Sequence, residues 1–242
     1  SADNRFVRYK ILVGFESVYP DDWTKEELDY LRSDEYRREE INRYIDEINA
    51  ENENDWFDLI TRCVETKSND LSTFPVFGSF ISKLAEHKPE VADRFLEKAS
   101  DDLRNFLPGF LNGLALSGRY DIYERVLESE LESARSLSGV ARHLRYSDIK
   151  KPDFSARLLT RAIDKGDARA IIECLLFALE NYGTAEKIAD ADTLLRDALT
   201  FLNDRKDARW VSEAWFLRKA TKFYEGLTPE RTKQVLQNLG YV

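Results

Sequence analysis

Apolar side chains along this 242-residue chain return every three or four positions, the spacing that places them on one face of a helix. Ile122, Tyr123, Val126, Leu127 and Leu131 form one such face, and Leu137, Val140, Ala141 and Leu144 form the next. Phe77, Phe80, Ile81 and Leu84 mark an earlier helix. Leu103, Phe106, Leu107, Phe110, Leu111 and Leu114 continue the series, with a kink or break expected at Pro108-Gly109. Ile171 to Tyr182 is apolar almost all round and predicts a central helix, ended by Gly183. Further helices are marked by Ile188 to Leu202 and by Trp210, Val211, Ala214, Trp215, Leu217 and Phe223.

Capping signals punctuate the pattern. Thr24 with Glu27 makes a capping box ahead of a helix carrying Leu28, Leu31, Ile41, Tyr44, Ile45 and Ile48. After a polar connection from Asn49 to Asn54, Asp55 is expected to open a helix with Trp56, Ile60 and Val64. Thr228-Pro229-Glu230 starts the last helix, and Gly118 and Gly240 end helices. The total is about a dozen helices with short connections. One stretch departs from this rhythm: residues 5–15, RFVRYKILVGF, interleave bulky apolar and basic residues as a strand does. It is expected to be a lone strand, the end of an upstream domain or an irregular N-terminal arm, broken at Pro20-Asp21-Asp22.

A segment also occurs twice. Residues 89–99 read PEVADRFLEKA and residues 152–162 read PDFSARLLTRA, 63 positions apart and each led by a proline suited to a first helical turn. Repetition at that period implies stacked helical units that bury their apolar faces on one another. With the turns Gly118-Arg119-Tyr120-Asp121 and Lys165-Gly166-Asp167-Ala168, the duplicated helix resembles the HEAT-like and tetratricopeptide-like α-solenoids over roughly residues 75–225. The resemblance implies an all-α, right-handed array of antiparallel helix pairs that acts as a scaffold or adaptor with a curved binding face. The expected organisation is an arm over residues 1–22 and a helical-repeat domain over residues 23–242.

Composition narrows the function. The chain is 43% hydrophobic and 33% charged, which excludes a disordered or membrane-embedded protein, and its apolar runs are too short to span a bilayer. Ten glycines and six prolines are few for a turn-rich β fold. Two cysteines outside any metal-ligand spacing, and no export signal, point to a reducing cytoplasm. The absence of methionine suggests a fragment of a longer protein, or a sequence from which modified methionines have dropped out. A net charge of −9 disfavours general nucleic-acid binding, but the charge is uneven. Residues 16–58 hold sixteen acids against five bases, whereas residues 135–165 hold eight bases against three acids.

Those bases supply the candidate site. Arg157, Arg161 and Lys165 follow i, i+4, i+8 and project from one side of the repeat helix. Arg135, Arg142 and Arg145 are expected on the polar side of the preceding helix, His143 beside them, and Lys150 and Lys151 in the connecting turn. Together they predict a positive ridge for an acidic peptide or partner protein, with a nucleic-acid backbone as the alternative. An ordinary charged surface, paired with the acidic N-terminal helix, explains the same residues. Catalysis finds little support, and no cofactor, metal loop or phosphate-binding glycine motif is implied. His87 fits a helix end, His143 a helix surface flanked by arginines, and Cys63 and Cys174 inert buried thiols. A carboxylate-dependent hydrolase is the third reading. Trp210, Trp215, Phe216, Phe223 and Tyr224 are either core filling or a recognition surface, with Phe216 pointing away from the core face.

Overall fold

Helix-period burial runs through the whole computed structural model, which describes residues 4–13, 30–66, 74–149, 151–181, 191–214 and 225–238. Among these residues there are fourteen helices and no strand. The class is all-α. By packing, the chain divides into two units, Ser1–Val126 and Leu127–Val242.

The first unit holds α1 (Asn4–Val13), α2 (Tyr30–Glu47), α3 (Glu53–Glu65), α4 (Pro75–His87), α5 (Pro89–Lys98), α6 (Asp101–Arg104), α7 (Leu107–Leu116) and the start of α8 (Tyr120–Ser133). Its centre is α4, which packs against α1, α2, α5 and α7. The tightest approach is between α4 and α7, where Gly113 lies so close to α4 that an added Cβ would sit 2.0 Å from the Ser82 carbonyl oxygen. Phe77, Phe80, Ile81 and Leu84 of α4 and Phe110, Leu111 and Leu114 of α7 are fully buried. The break expected at Pro108-Gly109 falls at Asn105-Phe106, and Pro108 is spent in the first turn of α7, where a missing N–H costs nothing.

The N-terminal strand expectation is corrected: residues 4–13 are helix α1. An isolated strand leaves its backbone groups unpaired, whereas a helix satisfies them internally. Ile11, Leu12 and Val13 are fully buried, and α1 packs on α2, α3 and α4. Helical winding also delivers the basic residues to acids, with Arg5 bonded to Asp55 and Arg8 to Glu47. Tertiary packing outweighs the β propensity of the Ile-Leu-Val run. A smaller shift concerns α3, which begins at Glu53 because the Asn49–Asn52 turn closes early, Asn52 accepting from Asn49 N–H and donating to the Glu47 carbonyl.

The second unit holds the end of α8, then α9 (Leu137–Tyr146), α10 (Pro152–Lys165), α11 (Ala168–Glu180), α12 (Ala191–Asp204), α13 (Trp210–Ala214) and α14 (Pro229–Asn238). Helix α11 is central: Ala170 to Leu179 are all buried, against α9, α10, α12 and α13. The Lys165–Ala168 turn forms as expected. Gly166 adopts φ +67, its N–H donates to the Ile163 carbonyl and that of Asp167 to the Ala162 carbonyl, and the Asp167 carboxylate then caps α11 by accepting from Ala170 N–H. Trp210 is buried and its indole N–H donates to Asn238 at 2.6 Å, tying α13 to α14. Thr228 caps α14 by accepting from Arg231 N–H.

The two proline-led segments are α5 and α10, and they bury the same positions. Val91, Ala92, Phe95, Leu96 and Ala99 in the first correspond at 63 residues to Phe154, Ser155, Leu158, Leu159 and Ala162 in the second, all ten buried. Among the described residues no helix is long and apolar enough to cross a membrane. The signals at Pro20–Leu28, Tyr182, Gly183, Ile188, Trp215–Leu217, Phe223, Tyr224 and Gly240, and Lys150 of the ridge, lie outside the described residues.

Candidate functional site

The candidate ridge is built on α10. Its apolar stripe faces inward, so Arg157 and Lys165 are exposed on the opposite side and Arg161 is half-buried between them. Arg157 is not idle. Its guanidinium grips Glu128 of α8 with both ends, at 2.9 and 2.6 Å, and Arg161 donates to the Glu132 carbonyl at 2.8 Å. Hydrogen bonding to Arg157, helped by the nearby charges of Arg157 and Lys151, holds the Glu128 carboxyl below its ordinary range. Lys151, Arg157 and Arg161 therefore meet along one edge of α8. Glu128 and Glu132 are spaced i, i+4, as are Arg157 and Arg161. Glu128 is the acidic partner that sequence reasoning missed, whereas the Glu132 contact is to its main-chain carbonyl and carries no side-chain signal.

Two ridge residues are not on this surface. Arg145 was expected on the polar side of α9 but is buried, its side chain 5% exposed. Its Nε donates to Glu180 at 2.7 Å and its Nη1 to Glu173 at 2.9 Å, with Glu213 at 3.4 Å. Burial works against its charge, but the bonds to Glu173 and Glu180 prevail and keep it protonated. The reason lies in α11: as the core rod it buries Glu173, and a buried carboxylate requires a paired cation. His143, expected at the surface, is also buried, and burial pushes its pKa down to about 4, leaving the imidazole neutral at pH 7. Arg135, in the α8–α9 connection, and Arg142, on α9, are exposed, while Lys151 is half-buried immediately before α10. Of the expected ridge, Arg145 and His143 are withdrawn into the core, while Arg135, Arg142, Lys151, Arg157, Arg161 and Lys165 keep exposed or half-buried positions.

The residues of acid–base or covalent potential are also placed. Cys63 and Cys174 are buried free thiols, each pushed up to about 12 by burial. His87 is exposed at the C-terminal end of α4. Among the described residues no three His, Cys, Asp or Glu side chains gather where they could hold a metal ion. Comparison with protein-family models, with curated proteins and with solved structures finds no match to this chain. The residues themselves must carry any functional reading.

The duplicated helix offers an internal comparison. Arg94 of α5 corresponds to Arg157 and makes the same two-ended grip, on Glu53 of α3 at 3.0 and 2.6 Å. The surroundings differ. In α5 the neighbours Asp93 and Glu97 add negative charge, and Asp93 holds Arg125. At the corresponding positions α10 has Ala156 and Thr160. Glu53 is also largely covered, its side chain 14% exposed, against 41% for Glu128. One rod presents a neutralised face and the other a cationic face whose counter-ion is open to water.

Proposed function

We propose that this protein is a non-catalytic helical binding module, and that the cationic face of α10 in the Leu127–Val242 unit engages an acidic segment of a partner protein. The array of helix pairs implied by the duplicated segment, and the scaffold role it suggests, belong to this reading. The observation that carries it is the divergence of the two copies, since α10 keeps the paired arginine of α5 but lacks the acids that neutralise it. A solvent-exposed ion pair stabilises by about 1 kcal/mol or less. Glu128 therefore holds the Arg157 fork in the orientation a carboxylate needs, and a partner's carboxylates can take its place. The buried thiols and the neutral, buried His143 support the non-catalytic part of the reading.

The test is fluorescence anisotropy with a labelled peptide rich in Glu and Asp. Arg157→Glu with Arg161→Glu should abolish binding. Glu128→Gln, which removes the internal competitor, should tighten it by up to about fivefold. Equal affinity in all three proteins would discard the reading. Tighter binding of a short RNA, with a steep loss on adding salt, would instead favour a nucleic-acid partner.

A further inference from the structure

A second candidate site lies in the Ser1–Val126 unit and involves none of the α10 face. Helices α1 and α3 enclose a groove of about 410 Å³ lined by Arg5, Phe6, Tyr9, Leu59, Arg62, Glu65 and Thr66. That volume falls within the usual range for a small-ligand site. Leu59 is buried and gives the groove an apolar floor, while Phe6 stands 57% exposed as one wall. Tyr9 is fixed by a hydrogen bond to the Thr66 hydroxyl, which in turn donates to the Arg62 carbonyl. The polar groups at the α3 end are therefore tied to one another and to the helix terminus.

Arg62 is the distinctive member. Six other described arginines of this unit are committed to carboxylates: Arg5 to Asp55, Arg8 to Glu47, Arg43 to Glu40 and Glu47, Arg94 to Glu53, Arg119 to Glu90 and Asp121, and Arg125 to Asp93. Arg62 is exposed and makes no hydrogen bond or ion pair through its side chain among the described residues. In a chain of net charge −9, an uncommitted guanidinium beside an exposed aromatic ring and an apolar floor is an arrangement suited to an amphipathic anion.

We propose that the α1–α3 groove binds a carboxylate carried on an aromatic or aliphatic body, with the carboxylate on Arg62 and the apolar body between Phe6 and Leu59. Glu65 at the same end disfavours more highly charged anions by repulsion. The chemistry is shared by a free organic acid and by the C-terminal residue of a peptide.

The experiment is ligand-observed NMR and calorimetry on the full chain with 3-phenylpropionate, its neutral amide, and a tetrapeptide ending in a free Phe carboxylate. The two acids should bind, the amide about tenfold or more weakly, because a hydrogen bond to a charged group is lost. Arg62→Gln should erase the preference for acid over amide, while Phe6→Ala weakens acid and amide alike. Unchanged urea midpoints for both surface variants exclude unfolding as the cause. Saturation by the free acid assigns a small-molecule site, and saturation by the peptide acid alone assigns a chain terminus. Equal binding of acid and amide, a preference that survives Arg62→Gln, or no binding of either acid at millimolar concentration overturns the proposal.

Discussion

Gly113→Ala tests the close packing of α4 on α7. The new Cβ would lie 2.0 Å from the Ser82 carbonyl oxygen, 2.7 Å from the Ala85 Cβ and 2.8 Å from the Glu86 nitrogen. Two of these three atoms are α4 backbone and the third is a Cβ fixed to it, so no side chain can swing aside. The helices must separate by more than an ångström to restore ordinary contact, disturbing two rods whose Phe77, Ile81, Phe110 and Leu114 are fully buried. Overpacking of a close-packed core costs about 1–3 kcal/mol, and more where backbone is the obstacle. Alanine recovers about 1 kcal/mol through its higher helix propensity. At the upper end of that cost the expected net loss is about 2 kcal/mol, a large part of the ~5–15 kcal/mol that holds a typical domain folded. Gly78→Ala is the matched control. A Cβ there meets nothing within 4 Å, so only the propensity gain of about 1 kcal/mol remains. Urea unfolding followed by far-UV circular dichroism, with hydrogen exchange on the α4 and α7 amides, measures both variants. A Gly113→Ala protein with the urea midpoint and α4 protection of the parent would refute the packing argument.

Burial and backbone geometry carry three further outcomes. His143 has its pKa depressed to about 4 by burial, so between its ordinary value of 6.5 and 4 the unfolded chain binds the proton first and stability falls with falling pH. The loss approaches about 3 kcal/mol; His143→Gln should flatten that part of the stability–pH curve, and parallel curves would contradict it. Lys206 occupies the left-handed region at φ 54, its N–H donating to the Asn203 carbonyl and that of Asp207 to the Leu202 carbonyl as at the Gly166–Asp167 turn, so Lys206→Gly should raise stability by about 1 kcal/mol in thermal or urea melts. Cys63 and Cys174, buried and pushed up to about 12, should resist a thiol-reactive disulfide reagent at pH 8 until denaturant is added, and rapid labelling of either in the native protein would place it at the surface.

Much of the architecture is local and therefore legible along the chain. Period-3.6 burial, a proline in the first turn of α5 and α10, the Gly166–Asp167 turn and the Thr228 cap are short-range consequences of residue type. The all-round burial of α11 follows from its nearly uniform apolarity. The ridge was half legible. The i, i+4, i+8 spacing places Arg157, Arg161 and Lys165 on one side of α10, yet nothing along the chain says that Glu128 occupies the Arg157 fork. The groove between α1 and α3 was not legible at all, because its walls are some fifty residues apart in sequence and α1 carried a strand-like pattern.

What the sequence determines by itself is the all-α class beyond the N-terminal segment, the register of the buried faces and the matching buried positions of α5 and α10, because these depend on residues three and four positions apart. The tertiary structure alone decided that residues 4–13 wind as a helix, that Arg145 and His143 are buried, and that Arg62 meets no side-chain partner among the described residues where it lines the α1–α3 groove. The reason is that burial and pairing of a charge depend on which distant helix arrives beside it. Arg145 and Arg142 sit on one short helix with similar local sequence, and only the arrival of Glu173 and Glu180 from α11 separates the core cation from the surface one.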